Sequence, residues 1–232
     1  MVQRRTNQPD AWAEERPADR SDDLDEIDAH IARLFELVAD GLGAATVAFL
    51  SGDRVAAQKV ASADVVIDEL HAGTEELVQR QLRSAAGGIE PAGLARLVLA
   101  LRIMPELERS GDLVEHIAAR ASAVLLGQLT DEVRLMIREM SELAVALWRR
   151  AADSFTGGDT PSMDELRLLD DELDDLHVQL SSSLTETDLS IAAAIEMGLV
   201  GRFYERLGDH AVNVARRVEM EDALVGAAHG EG

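Results

Sequence analysis

GRFYERLGDHAVNVARRV, residues 201–218, and ERSGDLVEHIAARA, residues 108–121, are two copies of one helical pattern set 97 residues apart. Glu108 and Asp112 in the upstream copy correspond to Glu205 and Asp209 downstream. Residues four apart share one face of an α-helix, so each copy aims two carboxylates in the same direction. His116 and Asn213, one turn further on, extend the two polar stripes. Acidic pairs kept in duplicate among helix-forming apolar residues point to ligands for hard cations rather than to a decorated surface.

Working outward, the duplication continues at a second offset. Asp64, Asp68 and His71 in DVVIDELH return as Asp170, Asp174 and His177 in DDELDDLH, 106 residues later. Ala45, Phe49 and Gly52-Asp53 are matched by Ala151, Phe155 and Gly158-Asp159 at the same spacing. The fall from 106 to 97 removes nine residues between the second and third helices of the second copy. The chain therefore reads as a tandem repeat with one shortened connection.

Each copy reads as three helices. Leu24, Ile27, Ile31, Leu34, Val38 and Leu42 follow a 3.6-residue period that predicts a first helix over about 23–50. Asp53 is placed to cap a second helix, which the spacing carries to about Ala86, before Gly87-Gly88 and Pro91. A third runs from about Ala92 to Leu126, with Pro105 inside it expected to remove a hydrogen bond and bend it. The second copy predicts helices near 131–156, 162–182 and 188–224. No stretch alternates as a strand should. The expected fold is all-α, six helices in two tandem three-helix bundles, with residues 23–126 superposing on 129–224 about a pseudo-twofold axis. Residues 1–22 read as a flexible arm and 225–232 as a tail.

Composition agrees. Hydrophobic residues make up 47% of the 232 residues but aromatic ones only 3%, so small aliphatic side chains must fill a core of closely packed helices. Cysteine is absent, which excludes disulfides, thiolate sites and iron–sulfur clusters. No window holds the roughly 18 uninterrupted apolar residues of a membrane span, and the start lacks the apolar segment of a secretory signal, so the expectation is a cytoplasmic protein without membrane insertion. A net charge of −22 repels phosphodiester backbones, and nucleic acid is not an expected partner.

The two ERxGD segments and the DxxxD pairs resemble the PhoU family of bacterial phosphate-signalling regulators, whose members carry two three-helix repeats with E(D)xxxD metal motifs. The likeness spans roughly residues 23–222 and is most specific over 201–218, which is similar to actinobacterial members. Carried over position by position, it implies metal ligands at Asp64, Asp68, Glu108 and Asp112 in the first repeat and at Asp170, Asp174, Glu205 and Asp209 in the second. The first repeat departs from the family where EPAGLARLVLA puts Gly93 and Ala95 at positions that usually hold Asp and Arg, and where His116 replaces Asn. The resemblance implies a non-enzymatic negative regulator of phosphate uptake that contacts the phosphate-specific ABC transporter and a membrane sensor histidine kinase. It also admits a homodimer.

The chemistry of the donors bears on the metal. Carboxylate-only sets suit Mg²⁺, Mn²⁺ or Ca²⁺, while adding His71 or His177 would favour Fe or Zn, the metals the resemblance implies for some relatives. A divalent or trivalent ion is expected, its identity open among Fe, Zn, Mn and Mg. Two other readings stand beside this one. A di-metal carboxylate oxidase on a helical bundle would need the Glu-x-x-His pairs that are missing here and one axial centre rather than two sites. A metal-free helical adaptor would use the acidic stripes as charge alone, since with 44 acids chance supplies on the order of eight i,i+4 acidic pairs. Without Cys, and with no readable Ser–His–Asp set or phosphate-cradling glycine loop, no catalytic centre is expected.

Overall fold

Helix boundaries follow the punctuation of the sequence closely. The structure, a computed structural model, describes residues 17–84, 88–121, 123–157 and 161–229. In chain order these form α1 (Pro17–Ser51), α2 (Arg54–Ala61), α3 (Asp64–Arg83), α4 (Pro91–Ala118), α5 (Ala123–Leu126), α6 (Asp131–Thr156), α7 (Met163–Glu186) and α8 (Ile191–His229), with no strand among the described residues. Six are long, as the repeat requires; α2 and α5 are short pieces of the first repeat.

Caps explain the ends. Asp53 Oδ1 accepts from the Val55 and Ala56 backbone N–H groups and opens α2. Thr130 caps α6, and Ser162 with Glu165 forms a reciprocal capping box on α7. Gly52 and Gly157 end α1 and α6 with positive φ, a conformation that costs glycine little. Asp159, matched to Asp53 by sequence, lies outside the described residues.

Four boundaries correct the sequence reading, one of them the end of the third helix, which stops at Ala118 instead of running on to Leu126, with α5 as a separate piece. The single helix expected from Asp53 to Ala86 is divided at Ser62-Ala63, where the Ser62 hydroxyl donates to the Lys59 carbonyl and the Ala63 N–H bonds to Val60 in a tighter turn. Leu168-Leu169 at the equivalent place lets α7 continue unbroken. The supposed arm is shortened because α1 begins at Pro17, whose fixed φ and missing N–H suit the first helical position; residues 1–16 lie outside the described residues. The supposed tail is shortened too, since α8 continues to His229.

Each repeat does not keep its own core. Ile31, Leu34, Phe35, Val38 and Leu42 of α1 belong to one buried cluster with Ile103 and Leu107 of α4, Trp148 of α6 and Leu207 and Val214 of α8. Segment 22–51 is apolar and long enough to cross a membrane by composition, but half of its most apolar window is buried inside this bundle. A buried hydroxyl cluster ties α1, α6 and α8: Thr46 Oγ1 lies 2.7 Å from the Tyr204 hydroxyl and 2.8 Å from Ser141 Oγ. Thr46 donates its one proton to the Leu42 carbonyl at 2.8 Å, so the other two hydroxyls donate to it.

Helices α4 and α8 form the seam between repeats. Arg120 meets Glu196 at 3.0 Å, the His116 ring meets Phe203, Ser110 Oγ meets His210 Nδ1 at 3.0 Å, and Glu106 meets Arg217 at 3.0 Å. Positions fall on one helix as they rise on the other, so the pair is antiparallel.

Candidate functional site

The two ERxGD segments touch back to back at Ser110 and His210, and their carboxylates look outward, those of α4 toward α3 and those of α8 toward α7. What lets the acidic helices approach is the glycine in each motif. A Cβ built on Gly208 would lie 2.7 Å from Leu173 Cδ2 and 2.9 Å from Asp170 Oδ1. At Gly111 the corresponding neighbours are Ile67 Cδ1 at 2.8 Å and Asp64 Oδ1 at 3.4 Å. Asp64 and Asp170 therefore stand at equivalent places in their repeats, each over the glycine of its partner motif. Gly201 gives α8 a second close approach, under Leu180 and His177.

Electrostatics place the remaining members around these two. Burial, then the charges of Asp209, Asp174, Asp171 and Glu205, push Asp170 up to about 6. Burial and Asp209 raise Asp174, and burial raises Glu205 against the pull of Arg202. In the first repeat, burial and the charges of Asp68, Asp112, Glu115 and Glu108 raise Asp64. Each expected quartet thus comprises mutually repelling neighbours, with Asp171 and Glu115 as additional charges that the motif reading omitted. Four carboxylates held this way demand a counter-charge from protons, arginine or a cation.

An oxygen-preferring cation fits what is present. Glu205 Oε2 is buried and has no hydrogen-bond partner, and the donors are carboxylates throughout. The side chains as they stand are not drawn into a cage: among the described residues no three His, Asp or Glu groups converge closely enough to hold an ion.

The flanking residues divide. His177 lies beside Gly201 near the second quartet, and burial, then Arg202, lower its pKa. His71 is half-buried on α3. His116 packs on Phe203, over which the Arg120 guanidinium also sits at 4.7 Å. Phe203 and Tyr204 are packing residues, Tyr204 fully buried with its hydroxyl held neutral by burial. Met136 and Met140 lie in the core. Arg109 and Arg206, inside the motifs, are exposed and have no ion-pair partner among the described residues. The arginine that does engage a site carboxylate is Arg202, one turn before Glu205, which it contacts at Oε1.

Sequence reasoning also missed the seam cluster. His210 Nε2 stands 3.7 Å from Glu106 while its Nδ1 bonds Ser110, and the Ser110 hydroxyl donates to the Glu106 carbonyl at 2.6 Å. This is a Ser–His–Glu arrangement in outline. Ser110 is fully buried and its proton is committed to a backbone carbonyl, so the set joins helices and offers no nucleophile to a substrate. At the start of α4, where Ala95 replaces the family's arginine, the next residue, Arg96, reaches α1 through the Leu24 carbonyl, Asp25 and Asp28. A groove of about 590 Å³ between α1 and α6, lined by Val47, Leu50, Arg138 and Arg149 among others, shares no residue with either quartet.

Comparison with known proteins gives the same assignment. The family model described as the PhoU domain matches residues 31–121 and 137–218. The chain is 33% identical over 200 residues to the phosphate-specific transport system accessory protein PhoU homolog 2 of Mycobacterium tuberculosis, which covers 84% of this chain and 92% of the relative. It is 26% identical over 189 residues to the PhoU homolog of Rhizobium meliloti, covering 79% and 76% of the two chains. In fold it is similar to the crystal structure of PhoU from Pseudomonas aeruginosa, with a TM-score of 0.78 at 22% identity over 88% of this chain and 98% of that one. With the PhoU model matched across both repeats and a relative one-third identical along most of its length, this chain belongs to the PhoU family.

Proposed function

We propose that this protein is a non-enzymatic cytoplasmic regulator that restrains phosphate uptake and the phosphate-starvation response when phosphate is plentiful. It does so by contacting the phosphate-specific ABC transporter and a membrane sensor histidine kinase, with cations held by the two quartets taking part in that contact. What carries the reading is the pair of equivalent carboxylate quartets in a chain of the PhoU family, whose curated relatives are phosphate transport accessory proteins. Asp170, Asp174, Glu205 and Asp209 would hold a cation at the second site, and Asp64, Asp68, Glu108 and Asp112 at the first. The ion would supply charge neutralisation, which turns a repelling acidic face into one that another protein can approach. Binding would draw side chains of each quartet inward from their present positions.

The mutual repulsion of the carboxylates supports this reading over a plain adaptor, whose acidic stripes would stay in solvent, whereas Asp170 and Glu205 are partly buried beside like charges. Quartets on separate helix pairs, α3 with α4 and α7 with α8, are unlike the single axial centre of a di-metal oxidase. The test is the double variant Glu205→Ala with Asp209→Ala. Metal content by plasma mass spectrometry should fall while circular dichroism stays helical, and reporter genes for phosphate starvation should be derepressed at high phosphate. Full metal occupancy in the variant would show the ligand assignment to be wrong. Loss of metal with normal repression would make the metal incidental and move the partner surface elsewhere.

A further inference from the structure

We infer that Arg202 is a resident counter-cation of the second quartet, a latch on Glu205 that competes with an incoming metal ion, and that the first quartet has no counterpart. The inference rests on the metal-binding reading above and adds to it a regulation of that site.

Its basis is the placement of one guanidinium. Arg202 sits three residues before Glu205 on α8 and engages Glu205 Oε1. The Glu205 side chain is 12% exposed, whereas that of Arg202 is 55% exposed, so the arginine lies over the carboxylate from the solvent side. The other oxygen, Glu205 Oε2, is buried and has no hydrogen-bond partner. Arg202 therefore engages one oxygen of the carboxylate and leaves the other without a partner. Its influence spreads further, since Asp174 and His177 both feel its charge.

The repeat supplies an internal control. The offset of 97 that pairs Glu205 with Glu108 pairs Arg202 with Pro105, which carries no charge. Among the described residues none of Asp64, Asp68, Glu108 and Asp112 has an arginine or lysine ion partner. The two sites thus share a backbone and differ in whether the protein brings its own cation.

The chemistry then sets the consequence. Arginine stays protonated at every pH at which a protein is folded, so its competition for Glu205 is permanent. A metal ion that takes both oxygens needs the Oε1 lone pair the guanidinium now uses, and one that takes Oε2 alone still shares the carboxylate with a fixed positive charge. The first quartet faces no such competition. Cation affinity at the second quartet is accordingly held below what its carboxylates alone would give.

The experiment isolates that site by removing the first with Glu108→Ala and Asp112→Ala, and titrates chelator-treated, full-length protein with Mn²⁺ while free ion is counted by electron paramagnetic resonance. In this background Arg202→Gln should bind Mn²⁺ about three- to tenfold more tightly than Arg202, and Arg202→Lys should stay close to the parent. Equal or weaker binding by Arg202→Gln would overturn the inference and leave Arg202 as a residue that positions Glu205 for the metal. If the parent and all variants are helical by circular dichroism and none binds Mn²⁺ at millimolar concentration, the metal-binding reading itself fails and takes the latch with it. The two failures are distinguished by whether the parent binds.

Discussion

Asp64 and Asp170 occupy matching positions on α3 and α7, each above the glycine of an ERxGD segment, yet their surroundings have parted. The α7–α8 approach is the tighter, with 2.9 Å rather than 3.4 Å between the would-be Cβ and the aspartate oxygen. Asp170 is pushed up to about 6 by burial and its neighbours. Arg202 stands by the second site where the first has Pro105. The seam has diverged in the same manner. Arg120 and Arg217 are equivalents, and each crosses between α4 and α8, but Arg217 finds Glu106 while Arg120 lies over Phe203, the residue equivalent to Glu106. The lesson is that duplication preserved where backbones may approach and let the charges between them change.

The comparison can be broken most directly at the glycines. Gly208→Val should destabilise the protein by about 3 kcal/mol in urea denaturation, because the added atoms meet buried Leu173 and the Asp170 carboxylate. Gly111→Val should cost measurably less, and equal costs would mean that the two approaches are equally tight. At the seam, Arg217→Met should cost about 2 kcal/mol by leaving Glu106, which is 12% exposed, without its arginine. Arg120→Met should cost under about 1 kcal/mol, since its partner Glu196 is well exposed.

The smallest effect sharpens the electrostatic contrast. A carboxyl raised in the folded state favours folding when protonated, so the contribution of Asp170 is fully present below about pH 4 and is lost as pH rises through about 6. Asp170→Asn should therefore stabilise the metal-free protein by about 1 kcal/mol at pH 7, a figure reduced for its partial exposure, and by nothing at pH 4. Asp64→Asn should show the same sign with a smaller amplitude. Thermal melts of both variants at the two pH values, in the presence of a chelator, measure the difference.

Helices and quartets were legible because period and spacing are local signals. The 3.6-residue pattern of α1 and the i,i+4 carboxylates required no knowledge of the remainder of the fold, and the repeat paired α3 with α4 and α7 with α8. Features that depend on azimuth between helices were not legible. Nothing in ERLGDH shows that His210 turns into the seam while Asp209 turns out of it, or that Ser110 is the residue it meets. Arg206 is next to Glu205 in sequence, yet Arg202 supplies the counter-charge because one turn of helix brings it over Glu205. The break at Ser62-Ala63 escaped because a serine hydroxyl taking its own helix's carbonyl leaves the apolar period undisturbed.

The Thr46–Ser141–Tyr204 cluster has a mechanical consequence. Tyr204 precedes Glu205, and its hydroxyl donates to Thr46 of α1, which in turn accepts from Ser141 of α6. A helix pinned inward at one residue cannot roll about its axis, so the neighbouring residue, about 100° further round, keeps a fixed azimuth. The bearing on which α8 would have to turn to retract Glu205 is thereby locked by a bond to the other repeat. Side-chain rotation at the second quartet, or movement of α7, leaves that bond intact, whereas rolling α8 breaks it.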